Sequence, residues 1–364
     1  MLRAIMLIPL LTLFLWGATA ATAMDRLDGS LQNPGSAERH PDNRLPPNAI
    51  DTGSLPRIVI DADAPDHRPL PYYRLAPDTY FLYGNIAQVN ERNRGFNGNA
   101  GFVVTPEGVV VIDSLGTPAL ARRLIATIRQ VTDQPIRYLI LTHSHPDHAY
   151  GAAAFRELDD EVTVIGHPGI LDYLGSEVIR ESADYRRDIL GADMRGFEGV
   201  RPDLLIDRPR LDEPHTLELG GQRFEIFNAG KHHSYGDLVV HQAGQRIVWI
   251  SDLAFNQRTT YMGDGNSKQA IEGQDWLLER FSDARLMVPG HGSAQTAPFP
   301  MVEKTRAYIQ RLRDEMAAAI ENGLTLSEAV EQSHFPEWED SRLYEENHRR
   351  NANFVYLEME MALF

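Results

Sequence analysis

Cysteine is absent from all 364 residues. That excludes disulfides, thiolate metal ligands and the lipid-attachment cysteine of a bacterial lipoprotein, so stability has to come from a packed core and from bound groups. Positive charge is scarce as well: 35 Lys and Arg face 51 Asp and Glu, for a formal net charge of −16. A surface of that sign repels nucleic acid and anionic membranes. Nor does the chain hold an apolar run of the roughly 20 residues that a bilayer span takes. The stretch from Ala4 to Trp16 is apolar, follows the single charge of Arg3, and leads to Ala21-Thr22-Ala23. This is the layout of a secretory signal peptide, with cleavage expected after Ala23 and a membrane anchor as the alternative. Cleavage removes Arg3 and no acid, leaving 34 bases against 51 acids and a formal charge of −17. The expected location is periplasmic or secreted.

What remains is ordinary globular material, 43% apolar and 24% charged, long enough for one large α/β domain with appendages or for two domains. Residues 24–71 are polar and broken by prolines from Pro34 to Pro71, which reads as a linker or wrapping arm in which only Ile58-Val59-Ile60 could pair as a strand. A folded domain is expected over 72–297 and a helical extension over 298–364. Strands are expected at Thr79 to Leu82, Phe102 to Val104, Val109 to Ile112 and Ile136 to Leu141, with a helix at Pro118 to Val131 set by Leu120, Leu124, Ile125 and Ile128. Further helices are expected at Ala149 to Leu158 and Pro168 to Glu181, with a strand at Val162 to Ile165 between them. The segment Ala183 to Pro214 reads as irregular, either an insertion at a site mouth or a surface excursion. Later strands are expected at Leu217 to Leu219, Phe224 to Phe227, Leu238 to His241 and Arg246 to Ile250. Helices follow at Met301 to Asn322, after the capping box Thr325-Leu326-Ser327-Glu328, and over Arg342 to Phe364.

The densest chemistry lies in Thr142-His143-Ser144-His145-Pro146-Asp147-His148, directly after a buried strand. Pro146 argues against a helix through the cluster. On an extended segment His143 and His145 point the same way, while Asp147 and His148 sit at the turn into the next helix. One loop can therefore supply two ligands to each of two metals, and imidazole with carboxylate suits zinc. The bland alternative is a histidine-rich surface loop. Asp113 and Asp252 each end a buried apolar strand, where an unpaired carboxylate is costly. A doubled imidazole, His232-His233, precedes Ser234-Tyr235-Gly236, and Val288-Pro289-Gly290-His291-Gly292 carries another.

With these motifs the chain resembles the metallo-β-lactamase superfamily of metallohydrolases. The resemblance implies an αββα sandwich with a C-terminal helical extension. It also implies one zinc on His143, His145 and His233, another on Asp147, His148 and His291, and Asp252 shared between them. His233 rather than His232 fits the family's H-[ST]-x-G register. Asp113 becomes a support for the metal loop, His167 a packing or supporting residue, and Asp147 the carboxylate that also handles a proton. Two dications roughly 3.5–4 Å apart activate water as a nucleophile at neutral pH.

The missing cysteine excludes the cysteine-ligand β-lactamases, and Asp252 counts against β-lactam specificity. From Phe81 to Phe364 the chain is most similar to exported quinoprotein relay system zinc metallohydrolases, a likeness that includes His348-Arg349-Arg350-Asn351. Those four residues read as packing and ion pairs. The implied activity is cleavage of an ester, thioester, lactone or amide in a small molecule. The alternatives are an iron-dependent thiol or persulfide oxygenase and a non-catalytic metal-binding partner of exported dehydrogenases. Selectivity would lie in Ala183 to Pro214 and in Asn256 to Ser267, with Arg258 and Tyr261 candidates for holding a substrate carboxylate and ring.

Overall fold

The computed structural model describes residues 68–158, 161–256 and 258–363. The expected signal peptide, and the arm up to residue 67 including Ile58-Val59-Ile60, lie outside the described residues. Two sheets form the centre. The first has seven strands in sequence order: β1 (Tyr73–Ala76), β2 (Thr79–Leu82), β3 (Ala100–Thr105), β4 (Gly108–Ile112), β5 (Ile136–Ile140), β6 (Thr163–Gly166) and β7 (Leu204–Leu205). It is antiparallel from β1 to β4 and parallel from β4 to β7. The second sheet runs β12 (Leu286–Pro289), β11 (Ile247–Ser251), β10 (Asp237–Gln242), β9 (Gln222–Gly230) and β8 (His215–Leu219). Only its β11–β12 pair is parallel.

The period-two side-chain alternation of a strand explains the layers. On β4, Val109 and Val111 face one core with Leu120, Leu124 and Ile128 of α1 (Pro118–Val131). Val110 and Ile112 face the other way, into a core shared with Ile226, Leu238, Val240 and Trp249 of the second sheet. On β10, Val239 turns outward to meet Leu277 and Phe281 beside α6 (Ser267–Arg280). The order is therefore helix, sheet, sheet, helix, the αββα sandwich. The arm joins the fold earlier than Tyr72: Leu70 is fully buried against α1, and its N–H donates to Thr127 Oγ1 at 2.8 Å.

Several elements depart from the sequence reading. The helix expected at Ala149 to Leu158 is two short pieces, α2 (Pro146–Ala149) and α3 (Ala152–Arg156). Gly151 lies between them: its N–H donates to Leu115 O at 3.0 Å rather than continuing the helix, and a Cβ there would lie 2.0 Å from the Ser114 carbonyl oxygen. The helix expected at Pro168 to Glu181 is also two, α4 (Gly169–Gly175) and α5 (Val178–Leu190). The supposedly irregular stretch from Ala183 thus begins as the second half of a helix and later contributes β7. Strand β1 and helix α6 had no counterpart in the sequence reading.

The extension is α7 (Pro300–Glu321), α8 (Leu326–Gln332) and α9 (Tyr344–Met361). Its own core gathers Tyr308, Ile309, Leu312, Phe335 and Val355, while Met301 and Val302 at the start of α7 belong to the core outside the second sheet. The capping box at Thr325 and Glu328 is formed. His348 stacks on Tyr344 at 4.6 Å and contacts Tyr308 OH and Ser333 Oγ at 3.1 and 3.3 Å. Burial drives its pKa down to about 4; the Ser333 contact opposes this, and the nearby charges of His334 and Arg311 add to it. An unfolded histidine titrates near 6.5. The unfolded chain therefore takes up the proton first, and the contribution of a neutral His348 is complete above about pH 6.5 and lost as pH falls toward 4. We expect the wild type to lose on the order of 1–2 kcal/mol more stability over that interval than His348→Gln, after allowance for solvent screening. Denaturant unfolding of both proteins at pH 7 and pH 4.5 measures the difference; equal losses would contradict it.

Candidate metal centre

The site lies where strands of both sheets end. After β5 the chain stays extended: Leu141 N–H donates to Ile165 O at 2.9 Å, and Leu238 N–H of the other sheet donates to Thr142 O at 2.8 Å. Pinned between the two sheets, the segment delivers His143 into the interior with no exposure. Pro146 then starts the single turn of α2, which carries Asp147 and His148. Asp252 follows β11, and His291 follows β12. His233 sits in the turn before β10, where Asp237 Oδ2 accepts from the N–H groups of His233 and Ser234 at 2.8 and 3.0 Å.

Two groups of donor atoms result, each drawn within 4.8 Å: His143, His145, His233 and Asp252 in one, Asp147, His148 and His291 in the other. Asp252 belongs to both in contact terms. Its Oδ2 lies 3.2 Å from His233 Nε2, 3.4 Å from His291 Nε2 and 3.8 Å from His143 Nε2, and its Oδ1 lies 3.5 Å from His148 Nε2. His232 is excluded from both groups; its ring packs on Gly273 of α6, where a Cβ would come within 2.5 Å of it.

The donor set fits a pair of cations. His143 Nε2 and Asp252 Oδ1 are buried without a hydrogen-bond partner. Leaving such atoms unsatisfied is expensive unless something binds them. Burial holds the His143 pKa well below 6.5, aided by His148, so its ring is neutral with a lone pair to offer. At Asp147 and Asp252 burial favours the neutral acid, but the surrounding imidazoles, joined at Asp147 by Arg186 and Arg258, outweigh it and keep both carboxylates ionised.

Supporting contacts fix these side chains. Asp113 Oδ1 accepts from Thr142 N–H at 2.8 Å and its Oδ2 from Thr142 Oγ1 at 2.9 Å and His148 Nδ1 at 2.8 Å. That is the support role implied by the sequence resemblance, and it turns His148 Nε2 toward Asp252. His167 bonds Asn228 Oδ1 at 3.0 Å and lies under Gly236 in the His233 turn.

Sequence reasoning missed four contributors. Asn97 Nδ2 donates to Asp147 Oδ2 at 2.6 Å, and Asn99 Nδ2 donates to the Pro289 and Gly292 carbonyls at 2.8 Å. Asn97 and Asn99 thus clasp the His143 to His148 loop and the His291 loop together. Asp264 lies 3.1 Å from His145 Nε2, and Arg186 of α5 lies 4.0 Å from Asp147 Oδ1.

Above the two groups opens a pocket of about 460 Å³. Its walls include Val178 and Tyr185 of α5, Arg258 and Tyr261 of the loop after β11, and Asn347 and Arg350 of α9. Arg258 and Tyr261 therefore stand where the sequence reading put them. The first four residues of Ala183 to Pro214 also reach the pocket, through Tyr185 and Arg186. The terminal helix, read as packing, presents two of its residues to the site.

With this geometry the relationship is unambiguous. The sequence pattern of the metallo-beta-lactamase superfamily matches residues 93–291, more than half of the chain, and the chain belongs to that superfamily. It is 36% identical over 262 residues to a linear primary-alkylsulfatase from Pseudomonas sp., a match covering 64% of this chain and 49% of the relative. It is 25% identical over 205 residues to a metallo-beta-lactamase type 2 from Bacillus sp., covering 54% of this chain and 69% of that one. The chain thus spans about half the length of the alkylsulfatase it matches. Among solved structures, the stereoselective inverting sec-alkylsulfatase Pisa1 from Pseudomonas sp. aligns with a TM-score of 0.62 at 18% identity, over 93% of this chain and 61% of that one. A metallo-beta-lactamase from Pontibacter korlensis aligns at 0.51 and 19%, over 66% and 98%. At these identities the likeness is one of fold.

Proposed function

We propose that the chain is a binuclear zinc hydrolase of the periplasm or cell exterior, acting on an ester, thioester, lactone or amide bond of a small molecule. Sulfate esters join that range because of the alkylsulfatase relative; no such bond was suggested by the sequence. The observation that carries the reading is Asp252, whose two oxygens contact imidazoles of both donor groups at the floor of an open pocket. A site serving structure alone has no need of a pocket reaching its donor atoms.

His143, His145 and His233 would hold one zinc, Asp147, His148 and His291 the other, with Asp252 shared. Such a pair supplies an activated water at neutral pH and a Lewis acid for the electrophile. The residues do the rest. Asn97 fixes the Asp147 carboxylate, which lines the pocket and accepts the proton of the attacking water. Asp113 and Asp237 keep His148 and the His233 turn from rotating away. Val178 and Tyr185 of α5 and Asn347 and Arg350 of α9 form part of the pocket wall.

The test is a panel of chromogenic esters, thioesters, lactones, sulfate esters and a cephalosporin, offered to zinc-loaded protein and to Asp147→Asn. Zinc-dependent turnover of at least one class is expected, with kcat reduced about 10²–10⁴-fold in Asp147→Asn, the range of a lost proton acceptor. Turnover unchanged in Asp147→Asn would remove the mechanism. Silence across the panel would favour a non-catalytic partner of exported dehydrogenases.

A further inference from the structure

The two donor groups are supported from different parts of the molecule. Around Asp147, His148 and His291 the supports are loops of the sandwich. Asp113 holds His148, Asn97 holds Asp147 and takes His291 Nδ1 on its carbonyl oxygen at 2.7 Å, and Asn99 holds the carbonyls of Pro289 and Gly292 on either side of His291. His145 is held otherwise: its Nε2 lies 3.1 Å from Asp264 Oδ2. A carboxylate only accepts, so Nε2 carries the proton and Nδ1 keeps a lone pair for a cation. The same segment backs a second imidazole of that group, since a Cβ at Gly265 would lie 2.6 Å from the His232 carbonyl oxygen and 2.9 Å from His233 Cα. Among the described residues, no hydrogen bond or ion pair joins Asp264 to Asp147, His148 or His291. Asp264-Gly265 therefore serves one donor group and not the other.

The C-terminal extension grips this segment along its length. Asn347 Nδ2 donates to Thr259 O at 3.0 Å, and Asn351 Nδ2 donates to Thr260 O at 2.8 Å. Asn351 Oδ1 accepts from Met262 N–H at 3.0 Å. The ring of Phe354 covers Gly263, where a Cβ would come within 2.8 Å of it. Glu358 takes Ser267 N–H on one oxygen at 2.8 Å and Ser267 Oγ on the other at 2.9 Å, and it is itself paired with Arg313 of α7 at 3.0 Å. Asn347, Asn351, Phe354 and Glu358 follow one another at steps of four, three and seven residues, so they form a single face of α9. Asp264 lies between the anchors at Met262 and Ser267, and a shift of α9 carries its carboxylate toward or away from His145.

We propose that Asp264 is the positioning residue of His145 and is set in place by α9, so that the C-terminal extension governs the affinity of the cation held by His143, His145 and His233 while the sandwich alone governs the other. The inference rests on the two-cation reading of the site and not on the reaction proposed for it. A carboxylate on the far nitrogen of a ligating imidazole fixes the ring and its tautomer, and its loss typically weakens metal binding about 10–100-fold. Asn351 and Glu358 act one step further out, through the segment that bears Asp264.

Chelator-treated, full-length protein is titrated with zinc against a competing indicator, and the Nε2–H signal of His145 is followed by NMR of histidine-labelled, zinc-loaded samples. Asp264→Ala is expected to weaken one binding step about 10–100-fold, to leave the other unchanged and to abolish the His145 signal. Asp264→Asn should recover part of the lost affinity, because its side-chain carbonyl still accepts while the charge is gone. Asp113→Asn should give the mirror image, weakening the step that Asp264→Ala spares. Asn351→Ala and Glu358→Ala should weaken the Asp264-dependent step severalfold; if Glu358→Ala fails to fold, Asn351→Ala decides. Two steps of wild-type strength in Asp264→Ala, or two equally weakened, would overturn the proposal, and α9 variants with both steps unchanged would overturn the part given to the extension. A wild type that takes up a single zinc would contradict the binuclear reading instead. In that case a His145 signal that persists in Asp264→Ala overturns the positioning role as well, and its loss upholds it, so the two failures are distinguishable.

Discussion

Replacing Gly290 by alanine is expected to empty the centre of metal and to cost about 1–3 kcal/mol of stability, the range for a side chain forced into a filled space. The cause is geometric. A Cβ at Gly290 would lie 2.0 Å from Asp252 Oδ1 and 2.9 Å from His148 Cε1, and neither can retreat. Asp252 is fixed by the end of β11, where Ser251 O accepts from Gly290 N–H at 2.8 Å, and His148 is fixed by Asp113. The substitution pushes the shared carboxylate away from both donor groups at once. Gly244→Ala is the control, since its nearest non-neighbour atom would be 3.9 Å away. Metal content and denaturant midpoint of the two variants decide the matter. A Gly290→Ala protein with wild-type metal content would show that the loop yields more readily than these contacts imply.

Asp252→Asn is expected to have the largest effect on activity. The substitution keeps the shape, but it removes the negative charge that faces imidazoles of both groups and makes one of the two atoms a donor. Loss of a residue that only supports a ligand typically costs 10–100-fold in metal affinity or activity. Loss of the shared carboxylate should exceed that, with the protein retaining at most one tightly held metal. Asp113→Asn provides the comparison within the same site and should fall inside the 10–100-fold range. If Asp252→Asn binds two metals as tightly as Asp113→Asn does, Asp252 is not the shared ligand.

That the donor residues gather was legible in the sequence because most of them sit at the ends of buried strands. Leu139 to Leu141 and Ile247 to Ile250 are apolar and buried, so a histidine or aspartate that follows either run is carried into the interior and must be paired. Between His232 and His233 the sequence alone does not decide; the family's H-[ST]-x-G register favours His233, and the structure turns His232 onto Gly273. What was obscure depended on contacts between distant segments. Asn97 and Asn99 look like turn residues, and nothing local reveals that they bond Asp147 and the His291 loop. Arg186 lies in a charged stretch whose apolar positions are few, so α5 reads as irregular until its packing against Tyr150 and Met194 is seen. The helix break at Gly175 and Ser176 was hidden for a related reason: the apolar pattern continues through it. Asn347 and Asn351 sit on an amphipathic helix where the ordinary expectation is packing, and their bonds are to a loop some ninety residues away.

We propose that the two donor groups form one binuclear zinc centre. Its most direct test is elemental analysis of the protein purified anaerobically without added metal, followed by titration of the chelator-treated protein with zinc. Close to two zinc per chain, with both sites lost together in Asp252→Ala, is the predicted result. One metal per chain at saturation, or iron in place of zinc with the same stoichiometry, would contradict it.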